Sequence, residues 1–257
     1  MKRGWKFFWI ISAGLILVGF VCCIIAFSLG ASFTDVTDRY YSFGSSSGSS
    51  AEFSNIDELN IDVSGNLNII TENRKTILVE ITEGGKRWET TCRQEGSELI
   101  IKTKTWFNWL GSIHYGTVNI YVPEGYQFEE ADISLGVGES EIEEMNAREL
   151  KVEAGAGRAV LYDFVTDELK MDCGVGDLEA DGTLNGNAKV VGGVGKLALG
   201  ITGRESDFNY DINCGVGSVS IGDGSYSGLG YDKKIQNDSD KTIKIECGVG
   251  SVDVDFY

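Results

Sequence analysis

The sequence predicts an all-β protein, a parallel β-solenoid with coils of about 19 residues and Gly-X-Gly corners, following one N-terminal transmembrane helix. Three observations predict it. A glycine–X–glycine motif recurs six times, at Gly136/Gly138, Gly155/Gly157, Gly174/Gly176, Gly193/Gly195, Gly215/Gly217 and Gly248/Gly250, in steps of 19, 19, 19, 22 and 33 residues. A recurring step of this length marks a stacked-repeat architecture. Apolar residues alternate on both flanks of each motif, which is the period of a strand with one buried face. The third observation is an uncharged, mostly apolar run over residues 7–29, 23 in all, against the roughly 20 that a helix needs to cross a bilayer.

Composition narrows the function classes. Acidic residues number 39 against 22 basic, a net charge of −17, which opposes binding to phosphate backbones. A hydrophobic fraction of 42% with 11% aromatics is enough to build a core. With 34 glycines and one proline, the turns must rest on glycine. The single histidine leaves little material for His-rich metal sites or a His-based relay.

Residues 1–30 read as a cytoplasmic stub and transmembrane helix. Lys2, Arg3 and Lys6 precede the apolar run and favour a cytoplasmic N-terminus with the rest extracytoplasmic; Trp5, Phe8 and Trp9 suit the inner interface. A cleaved signal peptide is the alternative, with Ala26-Phe27-Ser28 as its cleavage site, although its apolar core is usually only about 7–15 residues. Cys22 and Cys23 do not make a lipoprotein signal, because Val21 is bulky where a small residue should stand. Residues 31–52 read as a Ser/Gly-rich tether with an r.m.s. reach of roughly 25 Å. Gly44 to Gly48 matches the G-x-S-x-G pattern by chance, with neither the strand before it nor the helix after it that a nucleophile elbow needs.

Residues 53–257 read as the solenoid, with capping strands at its N-terminal end. Stretches 59–63 and 67–71 flank Ser64-Gly65 as a degenerate first coil, and 76–82, 98–105 and 117–122 alternate as strands that cap the open end. In the repeats, one inward column reads Ile133, Val152, Met171, Val190, Ile212, Ile245, and the next reads Leu135, Ala154, Cys173, Gly192, Cys214, Cys247. Beyond the motif come Ser140, Ala159, Leu178, Leu197, Val219, Val252, then Ile142, Leu161, Ala180, Leu199, Ile221, Val254. The outward column after the motif reads Glu139, Arg158, Asp177, Lys196, Ser218, Ser251. Its alternating signs support in-register stacking at about 4.8 Å. Segments such as 145–150 and 164–169 are expected on the connecting side, and residues 222–241 are expected to cap the C-terminal end. Antiparallel hairpins with Gly-Val-Gly at the turns are the alternative reading.

The membrane start, the Tyr121-Val122-Pro123-Glu124-Gly125 strand exit and the Gly-Val-Gly coils ending in Cys-Gly-Val-Gly-Ser-Val-Asp-Val resemble the bacterial "putative adhesin" family, catalogued as domain of unknown function 4097. Its relatives include a membrane-anchored accessory protein of the Lia cell-envelope stress system. The resemblance covers roughly residues 55–257 and implies a β-solenoid in the bacterial envelope. It brings no catalytic residues with it.

The residues offer little catalytic chemistry. Cys92, Cys173, Cys214 and Cys247 are even in number, but three share one inward column and read as buried free thiols rather than disulfides. The acidic sets Glu139/Glu141/Glu143 and Asp177/Glu179/Asp181 read as solvated faces, since the 19-residue step is not that of the nine-residue calcium repeat. Gly195-Lys196 fails the phosphate-loop pattern, with Val190 and Leu197 at required positions. No feature selects a carboxylate pair for glycoside hydrolysis. His114 stands alone in a polar-aromatic turn. No cofactor and no metal site are predicted. Trp106, Phe107 and Trp109, with Tyr115, lie between two predicted strands where a loop is normally polar; they are the candidate partner-binding residues, for an envelope protein, a glycan or the membrane surface, the alternative being that they cover the end of the solenoid. The reading is a non-enzymatic, membrane-anchored interaction or stress-response scaffold; the alternatives are a cell-surface adhesin and a carbohydrate-active β-helix enzyme.

Overall fold

Alternating burial runs through nearly every strand of the chain, as in β3 (Glu58–Val63), where Leu59, Ile61 and Val63 point inward. The computed structural model describes residues 39–43, 49–82, 88–105 and 115–257. The predicted membrane segment and the first part of the tether lie outside the described residues. The remaining elements are β1 (Arg39–Phe43), β2 (Ser49–Phe53), β4 (Asn66–Glu72), β5 (Ile77–Thr82), β6 (Trp88–Glu95), β7 (Glu98–Thr105), β8 (Thr117–Pro123), β9 (Gln127–Ile142), β10 (Met145–Leu161), β11 (Phe164–Ile201), β12 (Asn209–Ile221), β13 (Gly224–Ile235) and β14 (Thr242–Phe256). Among the described residues the only helical element is a 3-10 turn at Glu205–Asp207, and no helix is long and apolar enough to cross a membrane.

The coils stack in parallel and in register, which excludes antiparallel hairpins for the central repeats. Val152 pairs with Ile133 of β9 and with Met171 of β11, one 19-residue step either way. Strands run straight through the glycine motifs, and β11 continues unbroken for 38 residues. The segments expected to form a connecting side are strand as well: Met145 pairs with Phe164, and Leu150 with Leu169. Inward positions follow the predicted columns, and Ile133, Val152, Met171, Val190, Ile245 and Ile212 are all buried. The interior is therefore a packed core and not a channel.

The corner explains the glycines. Gly157 has φ of +136°, and a Cβ there would drive into the carbonyl oxygen of Gly138 on the coil beside it. An L side chain is excluded twice, by backbone conformation and by close approach.

At the N-terminal end, β3 and β4 form the first coil around the Ser64-Gly65 corner and pair in parallel with the two halves of β9. The strands β7 and β8 add another parallel level. β6 and β1 then continue one side antiparallel, and β5 and β2 the other. Within the stretch expected as a tether and at its end, residues 39–43 and 49–53 are edge strands. An edge strand needs only one row of backbone hydrogen bonds, so a serine-rich stretch pairs once Ala51 and Phe53 reach the core.

At the other end the stacking order departs from the chain order. The final strand β14 inserts between β11 and β12, and β13 pairs antiparallel on the outer side of β12. Tyr226, Tyr231 and Ile235 of β13 pack against the core, and the Lys233 ammonium lies 3.8 Å from the Tyr226 ring centroid. The segment 222–241 thus covers the C-terminal end, as expected.

Candidate interaction surface

The residue between the two glycines of each motif has nowhere to go but outward, because the backbone turns the corner beneath it. Val137, Val175, Val194, Val216 and Val249 are each about half exposed, at 46–58%, with Ala156 in the remaining position. They stack directly: Val137 on Ala156, Ala156 on Val175, Val194 on Val249, and Val249 on Val216. Six levels at about 4.8 Å give a ridge roughly 24 Å long. Single exposed apolar residues are ordinary, but a contiguous ladder of them is a mark of an interaction surface. The motif made these residues visible in the sequence, yet reading it as a turn signal alone hides that its central residue is apolar and outward.

Trp106, Phe107 and Trp109, and also His114, lie outside the described residues. Tyr115 is exposed at 41%. The segment that carries them lies in the chain between β7 and β8.

Beside the ridge, the outward charge column keeps its predicted register, with Glu139 beside Arg158 and Arg158 beside Asp177. Its ion pairs are diagonal instead of directly vertical: Arg158 reaches Glu179 at 3.8 Å and Lys196 reaches Asp253 at 4.0 Å. These are long, exposed pairs of small energetic weight.

A lysine ladder lies on the other side, unanticipated from the sequence. Lys151, Lys170, Lys189 and Lys244 occupy one outward column on successive levels. Stacked cations repel, and a neighbouring acidic column offsets the repulsion. Lys151 bridges Asp132 at 2.9 Å and Glu153 at 3.0 Å, Lys170 reaches Glu153 at 3.6 Å, and Lys189 and Lys244 share Glu246 at 3.3 and 2.9 Å. The Lys151 hydrogen bond holds the Glu153 carboxyl below the usual carboxylate range. A shallow depression of about 310 Å³ runs along this ladder, between Glu149 and Lys170.

The four described cysteines are free and buried. Burial pushes the Cys92 thiol up to about 12, and burial together with a hydrogen bond to Cys214 does the same for Cys247. Such thiols are poor nucleophiles at neutral pH. Asp181 is raised by burial and by Glu179 and Asp255. Among the described residues no cluster of three or more His, Cys, Asp or Glu side chains is arranged to hold a metal ion.

No curated protein matches the sequence. Among solved structures, the chain is similar to a "putative cell adhesion protein" from Clostridium sporogenes ATCC 15579, at 17% identity and a TM-score of 0.44, covering 87% of this chain and 100% of that one. It is similar also to a "putative adhesin" from Bacteroides fragilis NCTC 9343, at 9% identity and a TM-score of 0.30, covering 84% and 97%. A third, from Parabacteroides distasonis ATCC 8503 and described in the same words, has 11% identity and a TM-score of 0.31, covering 86% and 98%. A family model described as Toastrack DUF4097 matches residues 56–199, from the approach to the first coil through the fourth Gly-X-Gly corner, and the chain belongs to that family.

Proposed function

We infer that this chain is a non-enzymatic envelope protein, anchored by residues 7–29 and holding its solenoid outside the cell as an interaction or stress-response scaffold. The observation that carries the reading is the exposed Gly-Val-Gly ridge. The interior is filled with side chains, so recognition falls to the outer surface, and among the described residues the ridge is its most extended apolar feature. We take the ridge as the recognition edge, with the aromatic residues at 106–109, between β7 and β8 in the chain, as the second candidate. The apolar run with its basic flank supports the anchor.

The test is retention of the full chain, in detergent micelles, on isolated bacterial envelopes. Two variants accompany it, Val175→Ser/Val194→Ser for the ridge and Trp106→Ala/Trp109→Ala for the aromatic segment. The scaffold reading expects wild-type retention that falls several-fold in at least one variant with unchanged melting temperature. Equal retention by all three removes the recognition edge. Antibody labelling of intact cells without wall digestion would favour the adhesin alternative, because a short tether and a solenoid of about ten levels do not reach far from the membrane.

A further inference from the structure

We propose that the ridge is a self-association surface, on which a second copy of this chain docks antiparallel about a two-fold axis. The proposal rests on the ridge and its flanking column, and is independent of where the protein resides.

The charge order along the solenoid carries it. Read level by level beside the ridge, the outward column runs Asn66, Glu139, Arg158, Asp177, Lys196, Ser251: neutral, negative, positive, negative, positive, neutral. Reversed end to end, the same column presents the opposite sign at every charged level and a neutral polar residue at both ends. A two-fold axis between the Arg158 and Asp177 levels therefore sets Arg158 against the second copy's Asp177, and Glu139 against its Lys196. Asn66 meets Ser251. The isologous symmetry makes each pairing occur twice.

The apolar strip obeys the same operation over its first four levels, while Val249 comes to the level of the second copy's Gly65 and Val216 lies beyond it. Ala156 meets Val175, and Val137 meets Val194, so the one small residue of the ladder lies opposite a central valine. The glycines on either side carry no side chains to hold the two ridges apart. Arg158 and Lys196 are largely exposed, with side-chain exposures of 62% and 59%, and their present partners sit at the limit of ion-pair distance. Re-pairing across the interface costs little.

Two contacts oppose the arrangement. On the other flank, Glu153 comes to the level of the second copy's Asp172, and Asp62 to the level of its Glu246, which Lys189 and Lys244 already pair. Lys151 and Lys170, at 3.0 and 3.6 Å, already offset the Glu153 charge.

The strip is about 24 Å long and roughly 15 Å wide with its charge column, about 350 Å² per copy, below the ~800 Å² of a standard stable interface. A weak, concentration-dependent dimer is the expected species.

The test uses the full chain in detergent micelles with Cys22→Ser and Cys23→Ser, followed by light scattering from about 1 to 500 µM. The expected result is a monomer–dimer equilibrium that Arg158→Glu weakens roughly tenfold or more. Adding Asp177→Arg to that variant restores dimerisation, since the reversed column is again complementary. Register is read by mild oxidation: Val137→Cys/Val194→Cys together give a covalent dimer, whereas either alone does not, because each then faces its own copy three levels away. A monomer across the whole range overturns the proposal. So does a dimer indifferent to Arg158→Glu, or one that either single cysteine captures.

Discussion

Cys214 of β12 and Cys247 of β14 stand side by side in register on adjacent parallel strands, with both thiols buried and reduced. Their shared column continues to Gly192, the position beside Cys247 on β11. Because the side chains point the same way into the core, the pair is a packing feature. Burial makes it inert.

That inertness has a pH signature. The Cys92 and Cys247 thiols are raised from an ordinary value of 9.0 to about 12. A raised folded-state value contributes stability that is complete below the unfolded value and is lost as pH rises through the folded one. Denaturation midpoints measured across alkaline pH are expected to hold to about pH 9 and to fall between about 9 and 12. In the same protein, an aromatic disulfide reagent at pH 8 is expected to leave these cysteines unlabelled until denaturant is added. Rapid labelling of the native chain would contradict the assigned burial.

The corner glycines predict a sharp contrast between two substitutions. Gly157→Ala meets both a φ of +136° and the Gly138 carbonyl, and is expected to cost about 3 kcal/mol. For a domain of this size that lowers the melting temperature by roughly 6–12 °C. Gly96→Asn has a φ of +61° with open space around it and is expected to shift the melt by no more than about 2 °C, since Asn tolerates that conformation.

A second contrast separates core from surface. Phe164 is fully buried, and Phe164→Ala should destabilise by about 3–5 kcal/mol through lost transfer energy and a cavity. Val175→Ser, at the exposed ridge, should change stability by less than about 0.5 kcal/mol. Chemical denaturation of both variants checks this, and a large loss from Val175→Ser would mean the ridge is buried in the folded protein.

Lys151 is the hinge of the ion-pair network beside the ridge, since its removal strands Asp132 and deprives Glu153 of its nearest cation. Lys151→Met is expected to cost about 1 kcal/mol at low salt and less at high salt. The lowered Glu153 value means its contribution is present above the ordinary carboxylate range and is lost as pH falls through the folded value. The wild type should therefore lose more stability than the variant on acidification below about pH 4.5. Parallel acid titrations of the two proteins measure this difference.

Much of this was legible in the chain. A 19-residue step, period-two flanks and glycine pairs leave few ways to bury Ile133, Val152, Met171 and Val190 except by stacking them, and the stacked register is what appears. The candidate surface was legible only in part. Aromatic composition drew attention to Trp106, Phe107 and Trp109, while the ridge valines lay inside a motif that reads as a turn. The lysine ladder was hidden because no single coil shows it; four residues 19 or more apart become a column only when the coils are superposed.

The sequence by itself determined the coil length, which side chains face inward and where the corners fall, because each is a local consequence of strand period and glycine geometry. Only the tertiary structure decided the order of the last coils and the strands at both ends. The two final repeats have the same inward pattern, Ile212/Cys214/Val219 and Ile245/Cys247/Val252, so burial cannot tell which should follow β11. Charge can: β14 brings Glu246 to Lys189 and Asp253 to Lys196, where β12 would bring Asn213 and Ser220. The long step between them then lets β13 fold back and close the end, a closure set by contacts between segments far apart in the chain.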